Sequence, residues 1–163
     1  LVDLALLFGE RLTEKKREML FPLIKERAIA WSVAWVGASE IDATDILSAR
    51  MKAMQMAIDG LSVTSDMALI DGNRDKGHSA AISTAHRCIV GGDGKSASIA
   101  AASVLAKVSR DHYVTEVLDK AYPQYQFAKH KGYGTKLHYE MLDKYGPCPE
   151  HRRSFLKKWE AKR

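Results

Sequence analysis

The sequence predicts an α/β fold in one domain, and three observations carry that prediction. The apolar run Met67-Ala68-Leu69-Ile70 stops abruptly at Asp71-Gly72-Asn73-Arg74, as a buried strand does when it meets a turn. A second short run at 85–90 (AHRCIV) ends the same way, at Gly91-Gly92-Asp93-Gly94-Lys95. Helical stretches precede and follow both runs, the alternation expected when helices cover a parallel or mixed sheet.

With 163 residues, 46% of them hydrophobic and 28% charged, the chain is long enough to bury one real core. No apolar run approaches a membrane span, so no membrane partner is expected. Residues 1–8 (LVDLALLF) lack the basic flank and cleavage site of a signal peptide. Cys88 and Cys148 are too few for a disulfide framework, and a reducing, cytoplasmic setting is expected. No obligatory protein partner is implied.

In chain order, residues 1–11 offer no clear strand or cap. Thr13 is a good N-cap for a helix over 13–30 with Met19, Leu20, Leu23 and Ile24 on one side, and Pro22 predicts a kink or a break. Residues 31–36 (WSVAWV) alternate small and large and predict a strand ended by Gly37. Ser39-Glu40-Ile41-Asp42 predicts a turn, and Thr44 with Asp45 supplies helix-start chemistry. The next helix, about 43–60, directs Ile46, Met51, Met54 and Ile58 to a core, with the methionines as core filling.

The strand ending at Asp71 follows, and then a polar loop over 73–80. After the second strand, a helix over 96–122 opens with the small-residue run SASIAAASVLAK, which lets a helix lie close against a sheet. It carries Lys107, Arg110 and Asp111 in its middle, and Pro123 ends it. His130-Lys131-Gly132-Tyr133-Gly134-Thr135 is a tight turn, with Thr135 capping a helix to Tyr145. Pro147 and Pro149 frame a last turn before a short basic element at 151–155.

Two features carry chemistry. Asp71 stands at the carboxyl end of a strand, where α/β sheets place their ligands. An ionised carboxylate there needs a cation or a donor to offset it. A strand-end Asp that only caps its own turn gives the same pattern, but Asp93 makes a pair, which is more specific. The second feature is the carboxyl part: from Lys129 onward ten lysines and arginines face four acids, interleaved with Tyr133, Tyr139, Tyr145, Phe155 and Trp159. Cations meeting phosphates and rings lying on sugars or bases suit nucleic acid, although a solvated Lys-rich tail has the same composition. No nucleophilic triad is suggested. The six histidines make no helical i, i+4 pair, so a zinc site of that kind is not expected.

Taken together these stretches resemble the type 2 ribonucleases H. The match runs through Leu12-Thr13-Glu14-Lys15-Lys16-Arg17-Glu18, Glu40-Ile41-Asp42, Leu69-Ile70-Asp71-Gly72-Asn73-Arg74 and Gly92-Asp93. It continues through residues 98–108 (SIAAASVLAKV), Arg110-Asp111 and Tyr122-Pro123-Gln124-Tyr125. His130-Lys131-Gly132-Tyr133-Gly134-Thr135 and His151-Arg152-Arg153-Ser154-Phe155 close it, so that about 12–156 is covered in the family's order.

The resemblance implies a ribonuclease H-like fold, a mixed sheet flanked by helices with a helical carboxyl-terminal part. It implies an endonuclease that cuts the RNA strand of RNA–DNA hybrids and at single ribonucleotides in duplex DNA, using Mg²⁺ or Mn²⁺. Asp71 and Asp93 match two of the family's four metal-binding acids, and Asp111, beside Arg110, is the competing candidate, read here as a structural ion pair. Tyr133 matches the tyrosine that packs on the deoxyribose beside the ribonucleotide. Lys107, Arg110, Lys129, Lys131 and Arg152 are candidate phosphate contacts, and His130 is a turn-stabilising or phosphate-contacting residue rather than a base.

The family's opening strand, with an Asp-Glu pair and a Gly-Arg-Gly turn, has no counterpart in this sequence. Nor is its Ser-Lys-Lys triplet present, since Gly9-Glu10-Arg11 stands there, and Asp3 and Glu10 lie in no matching context. The expectation is therefore an amino-terminally incomplete member with two ligands and the backbone reader of the 2′-OH missing. Such a chain would be marginally stable and prone to self-association. The alternative to catalysis is a fragment that only binds nucleic acid. A ribonuclease H-fold nuclease of another family is disfavoured by the His-Lys-Gly-Tyr turn.

Overall fold

The computed structural model describes residues 12–161, and the readings placed on residues 1–11, Asp3 and Glu10 among them, lie outside these. The Thr13 hydroxyl accepts the Lys16 amide at 3.3 Å and opens helix α1 (Glu14–Arg27) by satisfying an amide the helix leaves unpaired. Glu14 in the first turn and Lys25 and Arg27 in the last complement the helix dipole. The helix continues through Pro22 instead of breaking there. Its buried residue is Ile24, while Met19 (63% exposed) and Leu23 (42%) face outward. The stripe that packs is thus narrower than expected, because the apolar residues of α1 that join this core are Leu20, Phe21 and Ile24.

Residues 31–37 correct the expected strand: they join no β-ladder among the described residues. Their alternation reflects Val33 turned toward Ile24, Val104 and Val108, with Trp31 and Trp35 left largely exposed. Trp35 leans on Tyr113 at 5.3 Å between ring centroids, and Lys25 lies 4.4 Å over Trp31. The expected turn at 39–42 is also corrected, because it falls within a short helix, α2 (Ala38–Ala43).

Helix α3 (Ile46–Asp59) starts three residues later than expected. Asp45 has taken the cap, accepting the amides of Leu47 and Ser48, both at 2.9 Å. Met51 is fully buried, as core filling requires, whereas Ile46, expected inside, is 47% exposed on the first turn. The buried side of α3 holds the 73–85 loop. Ser48 Oγ accepts the Ser79 amide at 3.0 Å, and Gln55 Oε1 accepts those of Ser83 and Thr84 at 2.8 and 3.3 Å. Close approach makes glycine necessary at 77, where a methyl group would lie 2.5 Å from the Ser48 amide nitrogen.

Strands β1 (Ala68–Asp71) and β2 (His86–Ile89) pair in parallel, with Ala68 opposite His86 and Asp71 opposite Ile89. Of β1 only Ile70 is buried and Leu69 is 40% exposed, so the expectation of a strand buried on both faces does not hold for the described residues. After β2 the chain turns through a 3-10 segment (Gly92–Gly94) into α4 (Ala97–Tyr113). A π-turn (Val114–Leu118) and α5 (Asp119–Ala121) extend α4 to the Pro123 stop, in accord with the long helix expected.

Helix α4 also divides the core. Val104, Leu105 and Val108 pack with Ile24 on one side, and Val114 on the continuation joins Tyr125, Phe127, Leu142 and Leu156. That second cluster belongs to α6 (Phe127–His130), α7 (Lys136–Tyr145), α8 (Arg153–Glu160) and the 3-10 turn Pro123–Tyr125. Asp42 docks α8 on α2 by accepting the amides of Arg153 and Ser154 and the Ser154 hydroxyl. The Ser154 bonds hold its carboxyl below the usual carboxylate range. The chain is thus α/β and helix-rich around a small parallel sheet. Among the described residues no helix is long and apolar enough to cross a membrane.

Three buried histidines close the carboxyl part with a self-consistent set of neutral tautomers. His151 Nδ1 accepts the Cys148 amide at 3.0 Å, which leaves its Nε2–H to donate to His138 Nε2, also at 3.0 Å. His138 Nδ1–H then donates to the Tyr133 carbonyl at 2.9 Å. His130 Nδ1 accepts the Gly132 amide at 3.1 Å and its Nε2–H donates to the Tyr125 carbonyl at 2.9 Å. Protonating His138 or His151 would set donor against donor in a buried place. Burial, and then the neighbouring His138, push the His151 pKa down to about 4, and burial lowers that of His138.

Both folded-state pKa values lie below the unfolded value of about 6.5, so the unfolded chain takes up these protons first as pH falls. Stability from the relay is whole above pH ~6.5 and is lost between there and pH ~4, by about 3 kcal/mol for His151. Thermal melts across that range should show the midpoint falling with acid, and a flat midpoint would contradict a buried neutral relay.

Candidate functional site

Asp71 and the turn that carries Asp93 come together at the carboxyl end of the sheet. Asp71 is the last residue of β1, and its Oδ1 accepts the Gly92 amide at 2.8 Å, which fixes the carboxylate against the turn that carries Asp93. The approach is close: Gly92 is buried, and a methyl group there would lie 2.6 Å from Ile99 Cδ1 and 3.4 Å from Asp71 Oδ1. Gly91, at φ +63°, makes the preceding bend. The side chains of Asp71 and Asp93 are exposed. Among the described residues neither is in an ion pair. Exposed hard oxygens at the carboxyl ends of parallel strands fit a hard divalent cation with retained waters.

The candidate binding residues converge elsewhere on α4. Asp111 is 5% exposed and faces three cations: Arg110 at 3.5 Å, Lys131 at 3.6 Å and Lys107 at 3.8 Å. Arg110 Nη2 also donates to the Lys131 carbonyl at 2.9 Å, tying α4 to the turn at 131–135. Lys107 donates to the Tyr133 hydroxyl, and the Arg110 guanidinium lies 5.3 Å from the Tyr133 ring centroid. Tyr133 itself is half exposed, its ring held by these cations.

Lys131 reaches back to Glu14 on α1. Burial opposes its charge, but the Glu14 hydrogen bond and the Asp111 and Glu14 carboxylates outweigh burial and hold its pKa above the usual lysine range. Arg152 completes the patch. It stacks 4.0 Å over Phe155, and burial, together with repulsion from Arg110, lowers its pKa.

Of the residues singled out in the sequence, Lys107, Arg110, Lys131 and Tyr133 are therefore neighbours, and Arg152 lies close enough to Arg110 to feel its charge. Lys129 is exposed and its ammonium binds Gln126 Oε1 at 2.6 Å. Asp111 is the buried ion-pair centre that its place beside Arg110 suggested, and His130 stabilises the turn. Sequence reasoning missed the relay behind that turn. It also missed Asp75, His86 and Cys88, whose ligand atoms lie within 4.8 Å of one another. The visible signal for the second group was His86-x-Cys88, which places both side chains on one strand face.

Comparison with known proteins gives concordant results. A family model described as ribonuclease HII matches residues 9–160. The ribonuclease HII of Aliivibrio fischeri strain MJ11 is 53% identical over 147 residues, covering 90% of this chain and 69% of the relative. That of Idiomarina loihiensis is 49% identical over 147 residues, covering 90% of this chain and 76% of the relative. The crystal structure of ribonuclease H2 from Pyrococcus horikoshii OT3 superposes with a TM-score of 0.71 at 22% identity. It covers 94% of this chain and 78% of that one, a likeness of fold.

The patch has a structural centre whose removal is measurable. Asp111→Asn would leave three cations without their shared carboxylate and should cost about 1–3 kcal/mol in urea unfolding. An unchanged midpoint would show that Asp111 does not organise the patch.

Proposed function

The chain belongs to the ribonuclease HII family and is by family a ribonuclease H-type endonuclease. From that premise we propose that it cleaves the RNA strand of RNA–DNA hybrids and at single ribonucleotides in duplex DNA, with Asp71 and Asp93 as metal ligands. The observation that carries this reading is that one helix joins the two halves of the site. Helix α4 begins just past Asp93 and bears Lys107 and Arg110 near its other end. From Ala97 to Lys107 it rises roughly 15 Å, the span of about four base steps of duplex.

A bound Mg²⁺ or Mn²⁺ would supply an activated water and charge stabilisation at the scissile phosphate. The protein's own groups do the rest. Asp71, oriented by the Gly92 amide, and Asp93 present the oxygens that would hold the cation. Lys107, Arg110, Lys131 and Arg152 receive backbone phosphates. Tyr133, clasped by Lys107 and Arg110, offers its ring to a sugar, where the 2′-OH distinguishes RNA from DNA.

A second reading has its own observation: the grouping of three metal-ligand side chains found among the described residues does not include Asp71 or Asp93. On that reading the chain binds hybrid duplex without cutting it.

One experiment separates the two. A DNA duplex carrying a single ribonucleotide is incubated with the chain and Mg²⁺ or Mn²⁺, beside an Asp71→Asn variant, with binding measured in parallel. The proposed reading expects cleavage by the parent chain and at least a hundredfold loss in the variant, with duplex binding retained. Binding by the parent without cleavage would establish the second reading instead.

A further inference from the structure

The trio of Asp75, His86 and Cys88 lies outside the surface just described. His86 Nδ1 stands 2.7 Å from the Thr84 carbonyl oxygen, which can only accept, so Nδ1 carries the proton and Nε2 is directed at Asp75. Nε2 and Asp75 Oδ2 are 3.3 Å apart. That is long for a charged N–H···O bond, usually about 2.7–2.9 Å. It equals the ligand–ligand edge, roughly 3.3 Å, of a tetrahedral ion with bonds of about 2.0 Å. Cys88, two residues on along β2, presents a free thiol on the same face, and all three donor atoms lie within 4.8 Å of one another.

The supports of a metal site are also present. The Thr84 carbonyl that orients the imidazole belongs to a residue fixed by Gln55 of α3, through its amide and its hydroxyl. The Asp75 carbonyl accepts the Ile82 amide at 2.8 Å, and Lys76 pairs with Ala81, so the loop bearing the carboxylate is a closed hairpin. The Asp75 side chain is half exposed, which leaves an open fourth position for water. The other thiol–imidazole contact, Cys148 with His151, has both of its ring nitrogens engaged in the relay.

We propose that Asp75, His86 and Cys88 form a zinc site that clamps the 73–85 loop to strand β2. The soft thiolate and the imidazole select zinc over the hard cations suited to Asp71 and Asp93. The Thr84 carbonyl and Asp75 hold the His86 pKa above the usual imidazole value. Binding therefore releases the Nε2 proton of the imidazolium as well as the Cys88 thiol proton to solvent, and uptake strengthens as pH rises. The clamp closes the loop that leaves β1 four residues past Asp71, and it acts on stability rather than on the reaction.

The test is titration of the chelator-treated chain with Co²⁺ as a visible probe, followed by Zn²⁺. The expected result is one equivalent bound, with thiolate-to-cobalt charge-transfer absorption that Zn²⁺ displaces and a large excess of Mg²⁺ does not. Zn²⁺ should also raise the thermal midpoint. The near-isosteric Cys88→Ser variant, checked for its fold by circular dichroism, should lose the band and weaken Zn²⁺ binding at least tenfold. Cys148→Ser should keep both. Absence of the band in the parent chain would overturn the proposal. So would a band that survives in Cys88→Ser, or Zn²⁺ binding equal in all variants.

Discussion

A buried carboxylate needs positive charge around it, and Asp111 draws that charge from two parts of the chain. Lys107 and Arg110 come from its own helix, and Lys131 comes from the turn after α6, itself anchored to Glu14 of α1. Without such partners the charge would be costly at that depth. The constraint explains why the residues singled out as phosphate contacts are neighbours at all: they converge on an anion of the protein first. It also joins α1, α4 and the turn after α6 at one point, so that the proposed substrate surface is itself an ionic cluster that ties these elements together.

Behind the patch, the imidazole relay sets the shape of the turn that presents Tyr133. His130 and His138 bond the amide of Gly132 and the carbonyl of Tyr133, on either side of a bend that needs positive φ at both Lys131 and Gly132. A half-exposed ring therefore rests on a rigid, dry support. At the other end of α4 the arrangement is similar: the Gly92 amide fixes Asp71 from behind, leaving the carboxylate's outer side open. Both ends of the site rely on backbone groups to aim exposed side chains.

The sequence was most legible where the chemistry is local. The Thr13 and Thr135 caps, the two strands running into Asp71 and Asp93, and the Pro123 stop all follow from neighbours in sequence, and all are present. It was least legible where a partner decides. Residues 31–36 carry a strand's alternation, but a strand needs a ladder, and among the described residues none meets them. The place of Asp71 and Asp93 at the ends of two short strand runs was readable as a motif. The His130–His138–His151 relay was not, because its members sit eight and thirteen residues apart and only tertiary packing brings them together. The same holds for Asp75, which joins His86 and Cys88 through a loop closure that no spacing rule describes.

The shared use of cations has a thermodynamic consequence. Free lysines and arginines on a protein surface each release a counterion from nucleic acid when they meet a phosphate, which makes affinity fall steeply with salt. Lys107, Arg110 and Lys131 are three cations set against two carboxylates, Asp111 and Glu14, so on the proposed reading they would meet phosphate with most of their charge already offset. The ionic-strength dependence of such binding would then be shallower than a tally of contacting cations gives. On the proposed reading a duplex would be held more by the shape of the pre-set patch than by the bulk charge of the chain.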